Sequence, residues 1–203
     1  MHTKKGFTLL ELLIVIGILA ILSTTIVLVI NPAELLKKAR DSQRISDLNT
    51  IKTAIAYYIT EVADPNIGDI GMTYSDVAAV VCTFDSTTRP TGPNQGAFKV
   101  DGEGWIPIKF VDITGGSPIG ALPRDPAASD DETGNHYYAY GLLSDTNYTF
   151  KLTANMESEY YSTGGGGDVE STDGGTVDTL YEVGTGMSLT ASTTGSCFND
   201  PGP

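Results

Sequence analysis

The sequence predicts an α+β fold, in which a long N-terminal helix carries a compact β-rich head, and three observations on the 203 residues lead there. Residues 7–30 form an almost unbroken apolar run, too long for an ordinary core helix. Residues 33–62 place apolar side chains at three- and four-residue spacing, the mark of a helix with one buried face. The second half crowds Gly, Ser, Thr, Asn and Asp between short β-forming runs, which suits a sheet joined by turns. Four segments follow: a polar leader at 1–6, a transmembrane helix at 7–30, its amphipathic continuation at 31–63, and a head at 64–203 with a Gly-rich C-terminal region.

The apolar run reads FTLLELLIVIGILAILSTTIVLVI. At helical rise it extends roughly 36 Å, enough to cross a bilayer. Lys4 and Lys5 lie just before it and favour a cytoplasmic N-terminus with everything after Ile30 outside, although Lys37, Lys38, Arg40 and Arg44 pull the other way. A secretory signal would have a shorter apolar core followed by a small-residue cleavage site, and neither is present. Gly6 instead precedes the run, so removal of the leader would leave the whole helix on the mature chain with Phe7 at its start.

Glu11 sets this run apart from a simple anchor. An ionisable group inside a membrane-length helix is costly and usually functional. It needs a cation, and processing would create one, the α-amine of Phe7. In a neighbouring copy shifted along the bundle axis, that amine could reach the carboxylate and offset most of its desolvation. The plainer reading is a glutamate near the headgroups, snorkelling from a conventional anchor.

The stretch KKGFTLLELLIVIGILAIL closely resembles the processing and methylation motif of type IV pilins and type II secretion pseudopilins. The resemblance implies cleavage between Gly6 and Phe7 by a membrane-embedded prepilin peptidase, N-methylation of Phe7, and a role for Glu11 in subunit registry. It implies a homopolymer built through the N-terminal helix, assembled by a cytoplasmic ATPase and an inner-membrane platform. Before assembly the chain would be a single-pass protein of the cytoplasmic membrane, in contact with lipid; afterwards it would belong to a periplasmic or extracellular filament. The same resemblance implies a pilin-like lollipop, with a small antiparallel sheet packed on the second half of the helix.

Asn31-Pro32 interrupts the helix, since Pro32 lacks a backbone donor and disfavours helical geometry in the residue before it; a kink is expected there. Beyond it, Leu48, Ile51, Ile55, Tyr58, Ile59 and Val62 form one stripe, and Asp64-Pro65-Asn66-Ile67-Gly68 ends the helix near Val62 or Ala63. Strands are expected at residues 104–113, 136–142, 148–152 and 179–183, with a short helix at 73–82. Trp105 reads as a core anchor.

Residues 122–140, LPRDPAASDDETGNHYYAY, resemble the Leu-Pro-x-Asp-Pro loop and Tyr-rich strand of G-type major pseudopilins. Related pseudopilins use calcium to order a head loop. Asp125, Asp130, Asp131, Glu132 and Asn135 offer oxygen ligands of the right kind, although their spacing is no EF-hand and a solvated acidic turn is the commoner explanation. Asp168, Glu170, Asp173 and Asp178 form a weaker rival set. Cys82 and Cys197 permit a disulfide that ties the tail to the head, with unpaired thiols or pairing across subunits as alternatives.

The formal net charge of −13, with seven of the twelve basic residues confined to residues 1–52, argues against direct nucleic-acid binding by the head. No recognisable motif ties a nucleophile to a base, so the chain is read as a structural subunit and not an enzyme, with no cofactor unless calcium. A membrane-tethered hydrolase would require a carboxylate pair whose positions in space the sequence does not give. Asn147-Tyr148-Thr149 satisfies the N-glycosylation acceptor pattern, a triplet that also arises by chance.

Overall fold

The computed structural model describes residues 6–70, 72–77, 83–84, 87–88, 92, 94–127, 136–144 and 146–187. Cys82, Cys197, Asp130, Asp131, Glu132 and Asn135 lie outside the described residues. The chain divides into two compact units, residues 1–37 and residues 38–203.

The first unit is helical. Helix α1, Leu9–Ile30, stops at Asn31, which takes a left-handed conformation with φ 43°. Helix α2, Pro32–Glu61, starts on the next residue. Pro32 suits a first helical position because its missing N–H would have no intrahelical partner there. The carbonyl of Asn31 accepts from the backbone N–H groups of Glu34 and Leu35, so one residue both closes α1 and opens α2. The expected interruption is therefore a single non-helical residue.

In the second unit, Leu48, Ile51, Ala54, Ile55 and Tyr58 of α2 are buried, while Ile59 and Val62 pack partly against them. Four antiparallel strands supply the opposing layer: β1 (Thr73–Ser75), β4 (Ala139–Ser144), β5 (Thr149–Ala154) and β6 (Tyr181–Gly184), in the order β1-β4-β5-β6. A separate two-stranded ribbon pairs β2 (Thr83–Phe84) with β3 (Thr87–Thr88). Period-two alternation sends Tyr140, Leu142, Phe150, Leu152 and Val183 into the core shared with α2. This is the α+β pilin-like fold, with an apolar N-terminal helix, a second helix and a small antiparallel sheet.

The other face of the sheet is buried as well. Lys151, Thr153 and Glu182 are inaccessible there. Lys151 Nζ lies 2.7 Å from Glu182 Oε1 and 3.1 Å from Thr176 Oγ1, while the N–H of Val177 donates to Glu182 Oε2 at 3.2 Å. The Gly-rich segment is therefore built around acidic side chains: Glu170 accepts from the N–H groups of Met156 and Thr163, and Asp173 from those of Gly175 and Glu182.

Two expectations are corrected. Residues 104–113 form no strand; Asp101 and Lys109 share one isolated bridge, and a 3-10 turn spans Phe110–Asp112. Trp105, Ile106, Ile108 and Phe110 still enter the core, but Pro107 cannot donate to a ladder, so burial proceeds through an irregular segment. The indole of Trp105 donates to the Pro123 carbonyl at 3.1 Å. Residues 73–75 are strand β1 rather than the start of a helix, because Thr73, Tyr74 and Ser75 pair with Gly141, Tyr140 and Ala139; residues 78–82 are outside the described region. The remaining strands shift by one to three residues at their ends.

Replacing Ile51 with Ala removes a fully buried branched side chain from the helix–sheet contact. The expected cost is about 2–5 kcal/mol, read by urea unfolding in detergent with Trp105, the sole tryptophan, as the fluorescent probe.

Candidate assembly site

Helix α1 begins with a reciprocal cap. The side chain of Thr8 accepts from the Glu11 N–H at 3.3 Å. Glu11 Oε2 in turn accepts from the Thr8 N–H at 2.9 Å and the Thr8 hydroxyl at 2.8 Å. This is a capping box, in which two donors without intrahelical partners are satisfied by one Thr–Glu pair. The cap gives the carboxylate polar partners within its own chain but no counter-charge.

The eighteen residues Leu9–Ile26 have a mean hydropathy of 2.5 and none is buried. Glu11 is their one ionisable side chain. Ser23, Thr24 and Thr25 donate their hydroxyls to the carbonyls of Leu19, Ala20 and Leu22, at 2.7, 2.9 and 2.8 Å, so these polar groups demand nothing from the surroundings. Phe7 is 81 % exposed and Gly6 is exposed beside it. The surface is apolar, helical and bare, with one carboxylate near its start.

Residues 1–27 match the family model described as the prokaryotic N-terminal methylation motif. The chain carries the type IV pilin and pseudopilin signature. Comparison with curated proteins and with solved structures gave no match. The pilin-type motif is that of a processed, membrane-anchored structural subunit.

In the second unit, α2 is held by a buried ionic clasp. The guanidinium of Arg44, fully buried, grips Asp125 with two bonds: Nε donates to Oδ2 at 2.7 Å and Nη2 to Oδ1 at 2.8 Å. Its Nη1 donates to Asp41 Oδ1 at 2.6 Å and its Nη2 also reaches Glu157 Oε1 at 2.5 Å. Arg40 adds a forked contact to Glu157. Asp41 accepts from the backbone N–H groups of Glu157 and Ser158. Behind the clasp, Asp76 takes the N–H groups of Asp125 and Tyr138, at 2.8 and 2.7 Å. Three carboxylates thus share two guanidiniums, and α2 is fastened to the Asp125 loop and to the chain just after β5.

Burial disfavours the anion of Glu157, but Arg40 and Arg44 outweigh it and hold the carboxyl down at about 2. Burial likewise opposes the Arg44 cation, yet the bonds and charges of Asp125 and Glu157 raise its pKa further. Asp76 is pushed up to about 7 by burial, against the two N–H bonds that favour its anion. His136 is lowered by burial and by the nearby Arg44 charge.

Of the residues proposed from sequence as calcium ligands, Asp125 is thus committed to Arg44, and its Oδ1 also accepts from the Ala127 N–H at 2.8 Å. Among the described residues, no group of three or more His, Cys, Asp or Glu side chains could hold a metal ion. Asp168, Glu170 and Asp173 of the rival set each bind loop N–H groups. The clasp itself was not foreseen. The sequence signals were the i,i+3 pair Asp41/Arg44 and the acid of the Leu-Pro-x-Asp-Pro loop, but Arg40 and Arg44 read as juxtamembrane charge.

Arg44→Met leaves three carboxylates without their shared cation, two of them fully buried. Its expected cost is about 3–5 kcal/mol, and Asp125→Leu in the same chain should recover part of it, because it removes one of the two buried charges left unpaired.

Stability should also depend on pH in two windows. Glu157, lowered from 4.5, contributes stability that is present above pH 4.5 and lost as pH falls toward 2. Asp76, raised from 3.8, contributes stability that is full below pH 3.8 and lost as pH rises through about 7. His136 acts against Asp76 below its ordinary value of 6.5, so the comparison with Asp76→Asn isolates the acid. The stability difference between native chain and variant should shrink as pH rises from 4 to 8, measured by thermal unfolding at fixed ionic strength.

Proposed function

We propose that this chain is a structural subunit that prepilin peptidase processes between Gly6 and Phe7 and that polymerises through its N-terminal helix into a type IV pilus-like surface filament serving adhesion, motility or DNA uptake. The observation that carries the reading is the bare stretch Leu9–Ile26, whose side chains find no cover within their own chain. A bilayer covers such a helix before assembly. Sister helices cover it afterwards, so extraction from lipid is offset by burial in a filament core.

Glu11 supplies direction to that exchange. In the unassembled chain its cap satisfies hydrogen bonds but not charge. Cleavage would free an amine at Phe7, and methylation would leave its charge in place. A neighbour's amine placed at Glu11 then pairs two charges that would otherwise each be desolvated alone. An apolar bundle has little to choose between one axial register and another, and this pair chooses. The net charge of −13 suits a water-facing exterior around the apolar core.

A second reading is a pseudopilin of a type II secretion machine, in which the same polymer works as a periplasmic piston. The resemblance of residues 122–126 to the loop of G-type pseudopilins favours it. Deletion of the gene separates the two: loss of surface filaments supports the first, and loss of protein secretion without loss of surface filaments supports the second.

Intact mass of native protein should show a chain that begins at Phe7 and carries one added methyl group. Glu11→Ala should still insert in the membrane yet yield few or disordered polymers, counted by electron microscopy against an equal membrane pool. Native material that retains residues 1–6, or normal filaments from the variant, would contradict the proposal.

A further inference from the structure

The turn that joins β4 to β5 holds Asn147-Tyr148-Thr149, an asparagine followed two residues later by a hydroxyl with no proline between. We propose that Asn147 is an N-glycosylation site, modified after the head has crossed the membrane. The inference rests on the reading of the head as extracytoplasmic, since the donor it requires, an oligosaccharide linked to lipid through pyrophosphate, is used on that side.

Two structural observations lift the triplet above a chance occurrence. Thr146 and Asn147 are exposed at the tip of the hairpin, and Tyr148 adopts a left-handed conformation, φ 49°, that turns the chain back before Thr149 opens β5. A transferase needs the acceptor on an accessible bend, and here Asn147 is exposed in the turn while Thr149, half-buried, stands at the first position of β5. The surroundings are also firmly held. The carbonyl of Tyr148 accepts from the Thr185 hydroxyl at 3.0 Å, the Thr185 Oγ1 accepts from the Phe150 N–H at 3.2 Å, and Phe150 is fully buried. A bulky sugar on Asn147 therefore projects from an anchored turn and displaces no core residue.

The transfer balances without any redox change. The side-chain amide nitrogen of Asn147 forms a bond to the anomeric carbon of the donor sugar as the bond from that carbon to the pyrophosphate oxygen breaks. The lipid pyrophosphate leaves with the electron pair. One amide proton passes to a base of the transferase. The hydroxyl of Thr149 helps the transferase to hold the acceptor, which is why the second residue after asparagine must carry one.

The test is peptide mapping by mass spectrometry of the full chain purified from its native source, with the N-terminus read in the same sample. A glycosylated peptide containing Asn147, in a chain that begins at Phe7, is the expected result. Asn147→Gln and Thr149→Val should both lose the added mass, while Thr149→Ser retains it. An unmodified Asn147 in a chain that begins at Phe7 would overturn the glycosylation proposal and leave the filament reading intact. A chain that retains residues 1–6 would overturn the filament reading, and the mass of its Asn147 peptide would still decide the glycosylation proposal.

Discussion

Eighteen consecutive residues with a mean hydropathy of 2.5 and no buried member pose a problem that one copy of this chain cannot solve in water. Their hydroxyls are already satisfied by the helix backbone, so hydrogen bonding provides no alternative to burial. Only lipid or other apolar helices can cover them. The position of Glu11 three residues after the N-cap fits this constraint, because it keeps the carboxylate hydrogen-bonded to Thr8. The proposed membrane insertion and self-association are two answers to that one exposed surface.

The head answers a different demand. Apolar packing against Leu48, Ile51 and Ile55 is supplemented by the bidentate grip of Arg44 on Asp125, so α2 is held to the rest of the second unit by both kinds of contact. A buried ionic cluster gains little over well-packed apolar groups, yet it specifies one geometry and is costly to open by one partner at a time. The acids of the Gly-rich segment act similarly on a smaller scale. Glu170, Asp173 and Glu182 gather backbone N–H groups that a segment without regular ladders would otherwise leave unpaired.

Much of the long-helix architecture was readable because its signals are local and periodic. The apolar run, the Asn31-Pro32 break, the stripe from Leu48 to Val62 and the turn residues after Ala63 each depend on neighbours within a few positions. Strands β4, β5 and β6 were readable to within one to three residues at their ends for the same reason. Residues 104–113 misled because burial and β-propensity do not distinguish a strand from an irregular buried segment, and Pro107 in its middle cannot donate to a ladder. Residues 73–75 misled because pairing to β4 is a tertiary choice that the local pattern of residues 73–82 does not show. The Arg44 clasp joins positions 81 and 113 residues apart, a distance over which sequence pattern carries no information.

The account turns on the exposed helix exchanging lipid for copies of itself, with Glu11 selecting the register. Electron cryomicroscopy of native filaments measures that directly. The account predicts residues 7–26 packed along the filament axis, with each Glu11 carboxylate within ion-pair distance of the Phe7 amine of a neighbouring copy. A filament whose axis is formed by the heads, or whose Glu11 side chains face solvent away from every amine, would contradict it.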